Sequence, residues 1–220
     1  MKHILKFILA VGLVVALATS AGAITAGSIP SGLNNEFIPG VFAGPQIAGY
    51  YGGQIYLIAG GATQLTLEYF GAEAGFHNEF NFNGVEYFDH PGGTNIAPNA
   101  GSPFSSFNVM ANPGLLNFSF DYNNNAGSVV NGLNPDDSAG TAGPNFFVSF
   151  NPINAVGGPT SGQFVWIFLD DGGAGPDDNH DDMLVRISVT GGSFSVPEPV
   201  TMLLLGLGLI GLAGMRRFRK

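Results

Sequence analysis

Six carboxylates crowd one thirteen-residue stretch of the chain: Asp170, Asp171, Asp177, Asp178, Asp181 and Asp182, interleaved with Gly172, Gly173, Gly175, Asn179 and His180. Carboxylates held this close raise one another's pKa unless a cation sits among them. Glycines let the backbone curl so that side-chain and carbonyl oxygens converge, and hard oxygen donors suit Ca2+ rather than zinc or copper. The predicted ligand set is Asp170, Asp171, Asp177, Asn179, Asp181 and Asp182. The spacing is not that of an EF-hand, which needs acids at alternate positions, Gly at the sixth and Glu at the twelfth. The competing reading is a solvated acidic hairpin that keeps a strand end soluble, and the sequence leaves both open. His180, alone among carboxylates, reads as a hydrogen-bonding or exposed residue rather than a transition-metal ligand.

Catalysis has less behind it. Glu79 with Glu86, or Glu73 with Asp89, are carboxylate pairs of the kind a glycosidase uses, and His77 and His90 are candidate bases. The chain has no G-x-S-x-G, H-E-x-x-H, Walker loop or cysteine, and nothing sets a base beside a nucleophile. The expectation is a protein that is not an enzyme and has no catalytic residues. For carbohydrate, Tyr50 and Tyr51, beside Gly49, Gly52 and Gly53, read as an exposed aromatic pair able to stack on a sugar ring. Trp166, inside Phe-Val-Trp-Ile-Phe, reads as core.

The elements that must carry these residues are strands. Residues 54–58, 63–70, 76–81, 85–88, 104–110, 115–122, 145–150, 163–169 and 183–189 are short, apolar and often alternating. Asn83-Gly84 is the pair most favourable to a type I′ hairpin turn, and residues 59–62 also read as a hairpin turn. Residues 92–102 and 123–144, rich in Gly, Asn and Pro, read as surface loops. Many short strands at this spacing predict an all-β fold, an antiparallel β-sandwich with a jelly-roll-like arrangement. The acidic stretch then connects two strands, at an end of the sandwich.

The two termini differ in kind from this middle. Lys2, His3 and Lys6 precede an apolar run, residues 7–18, and Ala21-Gly22-Ala23 supplies an A-x-A cleavage site at Ala21 and Ala23. That order describes a secretory signal peptide, residues 1–23, cut by signal peptidase. At the other end Pro197-Glu198-Pro199 is followed by an apolar run, residues 200–215, and by Arg216, Arg217, Phe218, Arg219 and Lys220. The prolines make a stiff, extended linker. The apolar run, about 24 Å long as a helix, falls short of the roughly 30 Å hydrocarbon core, and the basic cluster stays cytoplasmic.

This tail resembles the PEP-CTERM sorting signal, with Pro197, Glu198 and Pro199 as the motif, a transmembrane helix after it, and Arg216, Arg217, Arg219 and Lys220 fixing topology. The resemblance implies processing by an exosortase-type enzyme of a Gram-negative bacterium. It implies export across the inner membrane, transient anchoring through the C-terminal helix, and release to the cell surface or extracellular matrix. The stretch from Glu68 to Phe76 together with that from Phe168 to Met183 is similar to ectodomains of unassigned activity in the same group. The expected organisation is a signal helix at residues 1–23, an acidic ectodomain at 24–195 and the sorting signal at 196–220.

Six of the seven Lys and Arg lie in the two ends, leaving Arg186 against fifteen of the sixteen acids, a formal charge of −14 across residues 24–196. Such a surface repels nucleic acid and anionic lipid and favours cations or neutral polar partners. With no cysteine there is no disulfide framework and no Cys-ligated metal. The function expected is that of a non-catalytic surface or matrix protein associated with exopolysaccharide or biofilm, with a calcium-binding acidic loop. The alternative is a carbohydrate-binding, lectin-like module.

Overall fold

Large apolar residues at every second position bury one face of an extended chain against a neighbour. The computed structural model, which describes residues 24–29, 35, 37–93, 96, 101–152, 158–172 and 179–197, follows this rule at residues 78–82, whereas residues 47–51, 145–149 and 165–170 are buried on both faces. The elements are β1 (Thr25–Ile29), a one-turn helix α1 (Phe37–Gly40), β2 (Ile47–Tyr51), β3 (Tyr56–Ala59), β4 (Thr63–Gly71), β5 (Asn78–Phe82), β6 (Val85–His90) and β7 (Ser105–Ala111). They continue with β8 (Gly114–Leu115), β9 (Phe118–Tyr122), β10 (Gly127–Val130), β11 (Asn145–Ser149), β12 (Ser161–Gly162), β13 (Phe164–Asp170), β14 (Met183–Val189) and β15 (Gly192–Ser195). The fold is all-β and its sheets are antiparallel.

Three sheets form. The largest has seven strands in the order β1-β2-β11-β13-β14-β4-β7, and two four-stranded sheets run β10-β9-β5-β6 and β12-β15-β3-β8. One face of the large sheet supplies Leu65, Leu67, Tyr69, Phe146, Val148, Val165, Ile167, Leu169, Val185 and Ile187 to a core shared with Phe80, Phe82, Phe88, Phe118 and Phe120 of one small sheet and with Leu57 and Phe194 of the other. Phe118 and Phe120 meet Phe146 at 5.4 and 6.0 Å between ring centroids. Each fully buried Phe contributes about 2–3 kcal/mol, so this aromatic layer dominates cohesion in a chain without cysteine. The opposite face buries a second cluster, in which Phe42 packs on Trp166 at 4.9 Å and Phe37 on Phe168 at 6.4 Å. Helix α1, whose Phe37 N–H donates to Asn35 Oδ1 at 2.9 Å, delivers those two phenylalanines.

Asn83 and Gly84, at φ of 52° and 75°, turn β5 into β6 as the sequence predicts. Residues 59–62 do not make a hairpin. β3 pairs with β15 and β8, whereas β4 pairs with β14 and β7, so the segment carries the chain from one sheet to another. Residues 123–144 are not simply a surface loop either. They contain β10, and Asn131 is buried, its amide donating to Ile55 O and Leu116 O at 2.9 and 2.8 Å while its oxygen accepts from Ile55 N–H at 2.8 Å. Asn134 exchanges the same kind of bonds with Phe146 N–H and O at 2.9 and 2.7 Å. An Asn side chain carries the donor and acceptor of a peptide group, so these residues complete ladders that the chain itself leaves open.

The described strands run from Thr25 to Ser195, and Val196 is buried, its N–H bonded to Thr160 O at 2.9 Å, with exposed Pro197 directly after it. The expected signal helix at residues 1–23 and the apolar tail helix lie outside the described residues. Among the described residues no helix is long and apolar enough to cross a membrane.

Candidate functional site

The acidic stretch joins β13 to β14, which pair in register up to Leu169 opposite Met183. Asp182 N–H continues the ladder to Leu169 O at 3.2 Å, which brings Asp171 and Asp182 face to face at the tip. There Asp171 N–H donates to Asp182 Oδ2 at 2.7 Å, Gly172 N–H to Asp170 Oδ1 at 3.0 Å, and the Asn78 amide to Asp171 Oδ2. From neighbouring segments, Glu73 N–H donates to Asp181 O at 2.8 Å and Asn35 Nδ2 to Asn179 O at 2.7 Å.

The described part of this tip is therefore packed, not solvated. Asp170, Asp171, Asn179, His180 and Asp181 are all buried, which corrects the reading of an exposed acidic hairpin at these residues. The reason is the cover supplied from outside the hairpin by Asn35, Glu73, Asn78 and Asn145. Burial, then the charge of Asp171, raises the Asp182 pKa well above the usual carboxylate range, with Asp170 and Asp181 adding to it and the Asp171 N–H opposing it. His180 sits at φ 58°, its Nε2 2.9 Å from Asn145 Oδ1 and its ring 5.7 and 5.9 Å from those of Tyr51 and Phe147. Burial lowers its pKa to about 3, so it is neutral and donates to the amide oxygen, the hydrogen-bonding one of the two roles the sequence offers, while its Nδ1 stands 3.9 Å from Asp170 Oδ2.

Of the predicted calcium ligands, Asp170, Asp171, Asn179, Asp181 and Asp182 are brought to one junction, and Asp177 lies outside the described residues. Among the described residues no three His, Asp or Glu side chains are grouped so as to hold a metal ion. Asn78 adds one oxygen the sequence reading missed: its Oδ1 is buried without a hydrogen-bond partner while its amide nitrogen bonds Asp171. The signal for it was weak, a single Asn opening a strand.

Tyr50 and Tyr51 do not form the exposed pair expected of them. They are 8% and 6% exposed on β2, held between β1 and β11, with the Tyr50 hydroxyl donating to Gly158 O and the Tyr51 hydroxyl to Ser28 O at 3.0 Å. Gly49 serves close packing, since a Cβ there would collide with Val148 O and the Phe147 ring, as one on Gly27 would with the Tyr51 ring, and Gly52, at φ 66°, bends the chain as it leaves β2. Trp166 is core, as expected.

A second set of acids lies on the outer face of the sheet β10-β9-β5-β6, where Glu79 is in register with Asp121 on one side and Asp89 on the other, and Glu86 with Asn81. Burial and the charge of Glu86 raise the Glu79 pKa, with Asp121 and Asp89 adding and His77 opposing. His77 Nε2 lies 2.6 Å from Asp89 Oδ1 and 3.5 Å from Glu79 Oε1. The pair Glu79 and Glu86 is thus brought together, while Glu73 is drawn to Asp181 instead. His90 is buried, with Nε2 3.4 Å from Ala74 O.

Beyond Pro197, the remaining tail residues Glu198, Pro199, Arg216, Arg217, Arg219 and Lys220, and Ala21 and Ala23 at the expected cleavage site, lie outside the described residues. In comparisons with known proteins, residues 195–220 match the family model of the PEP-CTERM protein-sorting motif. No curated protein and no solved structure matches the chain.

Proposed function

The chain carries a PEP-CTERM sorting motif and is an exosortase substrate, exported and sorted to the cell surface, and on that premise we propose that its β domain serves non-catalytically at the surface or in the extracellular matrix of a Gram-negative bacterium, associated with exopolysaccharide. The observation that carries this is the sorting motif following directly on the last described strand, with Val196 anchored and Pro197 exposed at the domain surface. Signal peptidase opens the route and the tail anchors the chain until it is processed. Replacing Pro197, Glu198 and Pro199 with alanine should leave the protein at precursor length in the inner membrane, by fractionation and immunoblotting. A variant sorted like the wild type would overturn the reading.

The finer fold reading is a β-sandwich of jelly-roll type, supported by the core that the seven-stranded sheet shares with the two smaller sheets.

A lectin-like role has one observation in its favour. Two clefts of about 210 and 250 Å³ share Asn83 and Asn117, and neither is lined by a charged residue. Asn81, Asn112 and Ser119 add neutral donors and acceptors, and Leu115 and Pro113 an apolar wall, a lining suited to a neutral sugar. Retention on the organism's own polysaccharide should fall in an Asn112→Ala/Asn117→Ala double variant; equal retention removes the clefts from consideration.

Calcium belongs to the same proposal. The crowding at Asp171 and Asp182 and the Asn78 oxygen support a cation there, and Asp177 would have to complete the ligand set. Millimolar Ca2+ should raise the melting temperature relative to chelator, and identical melting in both would end the idea.

A further inference from the structure

Among the described residues, strand β7 is the outermost strand of the seven-stranded sheet, bonded to β4 on one side only. Its outward N–H and C=O groups form a row that pairs with no described strand, a template that natural proteins usually blunt with charge, proline or shortness. The other edges are blunted in these ways. β6 carries Glu86 and Asp89, β10 has four residues, β8 and β12 have two each, and β1 has five, with Thr25 already bonded to Asp136 Oδ2 at 2.5 Å. β7 has seven residues, Ser-Ser-Phe-Asn-Val-Met-Ala, without charge or proline. Phe107 and Met110 are 43% and 59% exposed on it, and Phe104, just before it, is 47% exposed.

From this we infer that β7 is an interface between two copies of this chain, paired antiparallel about a two-fold axis through Asn108. Centring the strand on itself sets Phe107 beside the copy's Val109, Ser106 beside its Met110 and Asn108 beside its own equivalent. Phe107 and Val109 are on the core side, where Phe107 packs on Tyr87 and Phe88 at 5.5 and 5.8 Å and Val109 on the main core, so pairing extends both cores across the join. Within the paired strands no charge opposes a like charge, because residues 91–120 contain no Asp, Glu, Lys or Arg. That matters in a domain of formal charge −14, where acidic faces such as that around Glu79 repel a second copy. The neutral edge is where two such domains approach at least cost, and the pairing makes an isologous contact that closes on itself.

The absence of cysteine makes the test direct. Residues opposite each other in an antiparallel pair have Cα atoms about 4.5 or 5.5 Å apart, both within disulfide reach. In the full-length chain, in detergent-solubilised membranes under mild oxidation, Asn108→Cys should give a covalent dimer on a non-reducing gel. Ser128→Cys, exposed on the β10 edge, should stay monomeric. Adding Met110→Lys to Asn108→Cys should cut dimer yield at least fivefold, and yield should rise from low to physiological salt as the acidic faces are screened. Should Asn108→Cys fold poorly, Ser106→Cys/Met110→Cys tests the same register, because those positions are too far apart along one strand to link within a copy. Absence of a dimer in both cysteine variants, equal yield at 108 and 128, or indifference to Met110→Lys would overturn the inference.

Discussion

One hairpin, β13–β14, treats charge in opposite ways at its middle and at its tip. At the middle, Arg186 lies in register with Trp166 and Glu68, and its guanidinium meets the Glu68 carboxylate through two bonds of 2.7 Å. The same group stands 4.9 Å from the Trp166 ring centroid and 5.1 Å from that of Phe70, and Ser188 Oγ donates to Glu68 at 3.3 Å. At the tip, Asp171 meets Asp182 with Asp170 and Asp181 close by; the Asn78 amide and the Asp171 N–H are among the groups that face these carboxylates, and His180 Nδ1 stands 3.9 Å from Asp170 Oδ2. A carboxylate beside a guanidinium gives up little on burial; a carboxylate beside carboxylates remains a liability that only a proton or a cation relieves. The lone arginine between residues 24 and 196 is thus spent on cohesion at the middle of the hairpin, away from the crowded acids of the tip.

Breaking the favourable end should have the largest effect. Arg186→Ala leaves Glu68, 8% exposed, without its partner and removes two ring contacts, and should cost about 3 kcal/mol in urea unfolding. Arg186→Lys should recover only part, because an ammonium keeps the charge but neither the two-pronged fork nor the stacking. A loss below about 0.5 kcal/mol for the alanine variant would mean that the pair behaves as an ordinary surface contact.

A smaller loss is expected at the scaffold of the tip. Asn145 accepts from His180 and donates to Asp137 Oδ2 at 3.2 Å and Gly143 O at 3.3 Å, with Asn145, His180 and Asp137 all buried. Asn145→Ala should cost about 2 kcal/mol, the penalty of leaving a buried donor unsatisfied, read by thermal and urea melting together. An unchanged midpoint would show that the tip does not need this amide to hold its acids.

How far the sequence foretold these regions depends on whether the signal was local. Strands β13 and β14 were legible from residues 163–169 and 183–189, because alternation and β-branched residues are local properties. The acids of the tip were legible as a cluster for the same reason. Their burial was not, since Asn35, Glu73, Asn78 and Asn145 arrive from distant parts of the chain. The Asn83-Gly84 turn was readable because positive φ selects its residues, whereas Gly60 and Gly61 look alike whether the chain reverses or changes sheets. Tyr50 and Tyr51 misled because glycine serves turns and close packing equally, and only Val148 and Phe147 across the sheet tell which. The sorting tail was fully legible, being read by its own order of residues rather than by a fold.

The finest test of the contrast is the titration of the tip. The Asp182 carboxyl holds its proton to a higher pH in the folded protein than in the unfolded chain, through burial and then Asp171. Its contribution is therefore complete below the unfolded value of about 3.9 and is lost as pH rises through the raised folded value. His180 runs the other way: lowered to about 3, it supports the fold above its unfolded value of about 6.5 and withdraws that support as pH falls toward 3. Asp182→Asn removes only the first slope and keeps an oxygen for the Asp171 N–H. It should stabilise the protein on the order of 1 kcal/mol at pH 7, converge with the wild type near pH 4, and leave the acid-side decline from His180 in place. Equal urea midpoints at pH 7, or a less stable variant there, would mean that the tip is not strained by its own charge, and the contrast with Arg186 would fall.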